Sequence, residues 1–230
     1  MPLPPHEFWQ HLYPPGTFAE TPDDRDLYPA RLPDGRQIAL PIRVLPGDSG
    51  RAVASLIVNQ ASFAVEDALV EVLAQRAGAF DAEVIVSVPT LGITLATALA
   101  RRLGHSRIVP LGTSRKFWYE ERLSQPITSI TSPGQEKRIY LDPRMLPLLE
   151  GRRVAVVDDV ISTGNSMAAV LKLLAAADIR PVAVLAAMLQ GNLGPAHLAA
   201  EAGWRGPIVT AIRTPLLKRS STGSWVPEAD

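Results

Sequence analysis

Residues 153–173 read RVAVVDDVISTGNSMAAVLKL, and the reading of this stretch decides the fold. Val154, Ala155, Val156 and Val157 form an apolar, mostly β-branched run that suits a strand covered on both faces, as at the centre of a parallel sheet. Asp158 and Asp159 end the apolar run. Ser162, Thr163, Gly164, Asn165 and Ser166 follow, small or hydroxyl-bearing and rich in donors, and residues 167–177 hold neither Gly nor Pro and read as helix. Free N–H groups at a helix N-terminus, with the positive end of its dipole, cradle a phosphate group, and Gly164 lets the backbone come close to it. The acid pair cannot itself hold phosphate. It can accept hydrogen bonds from two vicinal sugar hydroxyls or bind magnesium, usually through water. Strand, acid pair and loop together describe a site for a ribose 5-phosphate. Two plainer readings are a buried strand whose acids cap the next helix and a receiver-type aspartate site without a sugar; neither explains the acid pair and the loop at once.

The chain around this stretch is 230 residues long, enough for one domain with a substantial core and an appendage. Its 23 basic and 23 acidic residues balance, so no global field draws it to nucleic acid or a membrane surface, and an anion site has to be local. The absence of cysteine excludes disulfides, thiolate metal sites and a Cys nucleophile, and it fits a cytoplasmic setting. His6, Glu7 and Trp9 stand where a signal peptide would need an apolar run, and charges such as Arg101 and Arg102 break every long apolar segment. A soluble, intracellular protein is expected.

Residues 1–50 are rich in proline, and little regular structure is expected before about Tyr28. Pro33-Asp34-Gly35 then separates strand-like runs at 28–32 and 37–45 in a hairpin, and Pro41 argues that the second run is an edge strand. Residues 54–75 read as helix, with Asn59 or Ser62 as a cap. From Glu83 onward strands at 84–88, 108–111, 154–157 and 182–188 alternate with helices, the pattern of an α/β core with a parallel sheet. Sites in such sheets lie beyond the carboxyl ends of the strands, so loops beginning at Pro89, Gly112, Asp158 and Gln190 should converge. The connection 112–142 is long enough to be functional or mobile and holds two weak strand signals, 127–131 and 138–141. A last strand is expected at 208–212, and residues 217–230 show no periodic pattern.

The run VVDDVISTGNS resembles the phosphoribosyl diphosphate signature of the type I phosphoribosyltransferases, closest in pattern to the adenine-type members; the usual Gly or Ser then Thr is replaced by Asn165-Ser166, which keeps the donors. The resemblance covers about residues 55–190. It implies an α/β fold with a central parallel sheet, flanking helices and a small hood from the terminal regions. Residues 1–50 would supply the hood, 51–200 the core, and 201–230 a last strand and tail that could join the hood. The implied activity is transfer of the 5-phosphoribosyl group from phosphoribosyl diphosphate to a nitrogenous base, a purine, with Mg2+ as cofactor held by Asp158 and Asp159 through water. A homodimer in the cytoplasm is implied as well, without nucleic-acid or membrane partners. A sensor that binds phosphoribosyl diphosphate without catalysis is the alternative.

Other residues take roles by the same resemblance. Thr90, Leu91 and Gly92, after Pro89, match the loop that holds pyrophosphate in the family, where Arg or Lys is common and this chain has neither. Arg115 and Lys116, followed by Phe117-Trp118-Tyr119, resemble the Arg-Lys pair before the flexible loop of adenine-type members and would meet the leaving pyrophosphate, Arg bidentately and Lys as a point charge. Lys137 and Arg138 on the far arm would close over it. Trp9, Phe18, Trp204 and Trp225 lie in the terminal regions that form hoods. His6, His11, His105 and His197 have no metal-ligand spacing.

Overall fold

Among the described residues the chain builds two large sheets and a small two-stranded one, and the seam between the large sheets lies above the carboxyl ends of the second. A computed structural model describes residues 3–19, 26–127, 137–221 and 223–228. The first sheet begins with β1 (Leu12–Tyr13), β2 (Leu27–Arg31), β3 (Gln37–Leu45) and β4 (Asp48–Ala54), with β3 antiparallel to each of the other three. The Pro33-Asp34-Gly35 hairpin forms as expected, Gly35 taking φ 88°.

Pro41 is not on an edge. β3 lies inside the sheet, and Ser55 N donates to Pro41 O at 2.9 Å. Pro41 cannot donate the return bond, and the indole Nε1 of buried Trp9 donates to Ser55 O instead, at 2.9 Å. A side chain thus supplies the donor that proline lacks. The helix expected from residue 54 is corrected as well: Ala54 ends β4, and α1 (Phe63–Ala77) starts after Ser62, whose Oγ accepts from Val65 N at 3.3 Å. A continuous apolar pattern concealed a strand, a loop and a helix.

The second sheet is parallel. It is built from β5 (Val84–Ser87), followed by α2 (Gly92–Arg102) and β6 (Val109–Pro110), and, after an antiparallel pair β7 (Ser124–Ile127) and β8 (Lys137–Tyr140), from β9 (Val154–Ile161), α3 (Asn165–Ala176), β10 (Ala183–Gln190), α4 (Leu193–Ala202) and β11 (Ile208–Thr214). Its order is β11-β10-β9-β5-β6. Ala155 and Val157 of β9 pack into one apolar layer with α1 and α2, while Val154 and Val156 pack into another with α3, Leu123, Ile139 and Leu141. This central strand is covered on both faces, which is why it reads as an unbroken apolar run.

The described residues of the stretch 217–230 hold structure that their pattern does not announce. β12 (Leu216–Arg219) pairs antiparallel with β4 and with β13 (Trp225–Pro227), so the first sheet runs past residue 50 and is completed from the far end of the chain. The connection 112–142 is anchored, because β7 and β8 lie against α3 and bury Leu123, Ile139 and Leu141. The strand signal at 127–131 is met only at Ile127, since residues 128–136 lie outside the described residues.

Candidate active site

The chain enters the parallel sheet at β5, runs outward to β6, and returns to place β9 on the other side of β5. The β5 and β9 loops therefore part at a topological switch point, where α/β sheets bind their ligands. Val88 N donates to Val157 O at 2.9 Å, so the turn from Pro89 starts beside the acid pair. That turn contains a cis peptide between Pro89 and Thr90. Thr90 is exposed, Leu91 half-buried and Gly92 buried as the first residue of α2. A Cβ on Gly92 would stand 2.9 Å from Asp158 Cα, 3.0 Å from Asp158 Oδ1 and 3.1 Å from Val157 O. Among the described residues no side chain caps this helix, and Ile93 N turns back to Thr90 O at 3.4 Å.

The other loop is formed in the same way. Gly164 has φ 86° and caps α3 without any side-chain hydrogen bond to the helix. A Cβ there would stand 3.0 Å from Gly194 O. Gly194 in turn has no room for a Cβ against Ile161 and Ser162, so two glycines seat the loop on the start of α4. Ser162, Thr163, Asn165 and Ser166 line it half-buried around the uncapped helix start. Two helix N-termini without side-chain caps among the described residues thus flank one pair of acids.

Asp158 is buried and Asp159 is half-buried. Asp159 N donates to Asp158 Oδ1 at 2.8 Å. Burial first, and the neighbouring Asp159 charge second, push the Asp158 carboxyl well above its usual range. Burial raises Asp159 too, opposed by its hydrogen bonds. Two acids at this spacing stay charged together only with a cation or hydroxyl donors between them. Among the described residues no cluster of three or more His, Cys, Asp or Glu forms a protein-only metal cage. The site fits magnesium of the kind that keeps its waters and shares substrate oxygens, held by one or two carboxylates.

The predicted cations stand in a different setting. Arg115 pairs with Glu121 at 3.2 Å, and Glu121 also holds Arg138 at 2.9 Å. Arg138 further donates to Ser124 Oγ at 2.7 Å, which makes it part of the β7–β8 framework. Lys116 is exposed and has no ion pair among the described residues. Lys137 is exposed at the first position of β8, opposite Ile127. Sequence reasoning missed Glu121 as the residue that ties the two arms, and it missed the clamp on Trp118. Trp118 Nε1 donates to Asp142 Oδ2 at 3.3 Å, and Arg144 lies 4.4 Å from the Trp118 ring centroid. Arg144 also hydrogen-bonds both Asp142 oxygens, which lowers that carboxyl to about 2. The Asp142-Pro143 cap signal was present in the sequence, but its aromatic partner lies 24 residues away.

The comparisons agree with this geometry. Residues 57–199 match the model of the phosphoribosyl transferase domain. A hypoxanthine/guanine phosphoribosyltransferase of Methanosalsum zhilinae is 36% identical over 113 residues, 49% of this chain and 54% of that protein. One from Methanobacterium paludis is 33% identical over 50% of this chain and 56% of its own length. The chain thus spans about half the length of the curated relatives it matches. Among solved structures, the adenine phosphoribosyltransferase of Thermoanaerobacter pseudethanolicus has a TM-score of 0.60 at 21% identity, over 76% of this chain and 95% of that one. The Giardia lamblia enzyme complexed with 9-deazaadenine has a TM-score of 0.61 at 18% identity, over 76% and 93%. At such identities the structures speak for the fold, and the domain match covers more than half of the sequence: the chain belongs to the phosphoribosyl transferase domain family.

Proposed function

We propose that this chain transfers the 5-phosphoribosyl group from phosphoribosyl diphosphate to a purine base and releases pyrophosphate. The observation that carries the reading is the Asp158–Asp159 pair between two uncapped helix starts, one closed on it by Gly92 and the other seated by Gly164. In this reading the N–H groups and hydroxyls of residues 162–166 hold the 5-phosphate and those of residues 90–92 the diphosphate. Asp158 and Asp159 accept from the ribose 2- and 3-hydroxyls and place C1 between the diphosphate and the base. Positive charge growing at C1 is favoured beside the two carboxylates, and Lys116 takes up negative charge on the departing oxygens. Magnesium bound near the acid pair would neutralise diphosphate charge as a Lewis acid. The first sheet serves as the hood that keeps water from the activated sugar. A purine acceptor is supported by the names of the relatives, a homodimer and a cytoplasmic setting by resemblance alone; no helix among the described residues is long and apolar enough to cross a membrane.

A second reading, a non-catalytic sensor of phosphoribosyl diphosphate, is favoured by one observation. The 90–92 turn has no cation, and Arg115 is engaged by Glu121. One experiment separates the two: incubation with phosphoribosyl diphosphate, magnesium and each of adenine, hypoxanthine and guanine, following pyrophosphate release, alongside calorimetric binding of phosphoribosyl diphosphate. Release with any base supports the transferase; tight binding without release supports the sensor.

A further inference from the structure

We propose that Gly194, in the turn after β10 and outside the run 158–166, is a positioning residue for the 5-phosphate, acting through the Ser162–Thr163 peptide; this rests on reading residues 162–166 as the 5-phosphate loop. β9 and β10 are paired neighbours as far as Ile161 and Leu189, so the start of α4 arrives beside the loop that leaves β9. The approach is closer than a side chain allows. A Cβ on Gly194 would stand 2.7 Å from Ile161 Cγ2 and 2.9 Å from Ser162 O, and Gly194 O lies 3.0 Å from the position of a Cβ on Gly164. One glycine thus meets the loop twice, with its α-carbon against the Ser162 carbonyl and its own carbonyl against Gly164.

Nothing in the helix itself calls for glycine at this position. Gly194 is the second residue of α4 and is not among the glycines at positive φ, so an alanine could adopt its backbone and would favour the helix. The demand comes from the loop. Ser162 O and Thr163 N share one rigid peptide plane, so whatever moves the carbonyl swings the N–H. Thr163 N donates to no atom among the described residues, which leaves it for the 5-phosphate. A methyl group at position 194 finds no relief on the side of Ile161, which is 1% exposed in the core with Leu189 and Leu198. The Ser162 carbonyl has to give way, and the Thr163 N–H turns with it.

The test is Gly194→Ala, titrated in a calorimeter with ribose 5-phosphate and, separately, with pyrophosphate and magnesium. Affinity for ribose 5-phosphate should fall at least about tenfold, in line with loss of one hydrogen bond to a charged group, while affinity for pyrophosphate stays within about twofold. Ribose 5-phosphate bound as in wild type overturns the assignment. Equal loss of both ligands overturns it too, because a merely disturbed fold would not tell the two subsites apart. Should the variant fail to fold, hydrogen exchange on the wild type decides: ribose 5-phosphate should slow exchange in residues 193–202 as well as in 162–166, and slowing confined to 162–166 overturns the proposal. A wild type that binds no ribose 5-phosphate removes the reading of the loop itself, whereas binding that Gly194→Ala leaves unmoved removes only the role of Gly194.

Discussion

Gly92 and Asp158 meet backbone to backbone: the position of a Cβ on Gly92 is 2.9 Å from Asp158 Cα, a separation that no side chain can occupy. The start of α2 is pressed onto the acid pair because nothing but hydrogen stands between them. Gly92→Ala should push the 90–92 turn off the carboxylates. Affinity for phosphoribosyl diphosphate in calorimetry should drop at least about tenfold, with an overpacking cost of about 1–3 kcal/mol in denaturant unfolding. Unchanged affinity would separate the turn from the site.

The acid pair is costly to the empty protein. For an acid whose folded pKa is raised, the neutral form is favoured in the fold, so stability is lost as pH rises from the unfolded value through the folded one. Asp158→Asn keeps an acceptor for Asp159 N and removes that penalty. The ligand-free variant should melt higher than wild type at pH 7, with the gap narrowing toward pH 4, while transfer falls by orders of magnitude. Asp159→Asn should lose transfer comparably. Near-normal turnover in either would count against the ribose assignment.

Asp142 has the opposite sign. Hydrogen bonds from Arg144, foremost, hold its carboxyl down at about 2. The stability it adds is present above the ordinary carboxylate range and is lost as pH falls toward 2. Wild type should thus show a destabilising acid limb between about pH 4 and pH 2 that is flatter in Asp142→Asn. Superimposable limbs in acid titration followed by circular dichroism would contradict this.

Lys116 and Glu121 make a paired prediction. Lys116→Ala should lower turnover by roughly tenfold to a hundredfold, the worth of one charge-assisted contact of about 1.5–3 kcal/mol. Binding of ribose 5-phosphate should hardly change. Glu121→Gln, which weakens the hold on Arg115, should tighten pyrophosphate binding. Loss of ribose 5-phosphate affinity in Lys116→Ala would place that lysine in the wrong subsite.

Trp9→Phe keeps the ring and removes the donor to Ser55 O. The orphaned carbonyl should cost about 1–3 kcal/mol in urea unfolding. An effect near zero would mean that Pro41 needs no substitute donor.

The central strand, acid pair and phosphate-type loop were legible because each is local: an apolar run, two adjacent carboxylates and a Gly at positive φ occupy neighbouring positions. Where the sequence misled, the cause was distance. Pro41 reads as an edge residue until Trp9 supplies its donor. Ala54 reads as helix until β3 is beside it, and residues 217–230 read as patternless because the partner of β12, β4, lies more than 160 positions earlier. The site divided in the same way: residues 158–166 are one segment, while the Glu121 bridge joins segments with no common pattern.

β12 pairs with β4 through Leu216–Val53, Leu217–Ala52 and Lys218–Arg51. During synthesis the segment that carries the acid pair and the loop after it, complete only with Gly194 at the start of α4, leaves the ribosome before β12 can pair with β4. Until then β4 offers an open edge with nothing to pair against, the kind of template on which nascent chains misassociate. β12 and β13 thus guard that edge, and they follow every strand of the parallel sheet in the sequence.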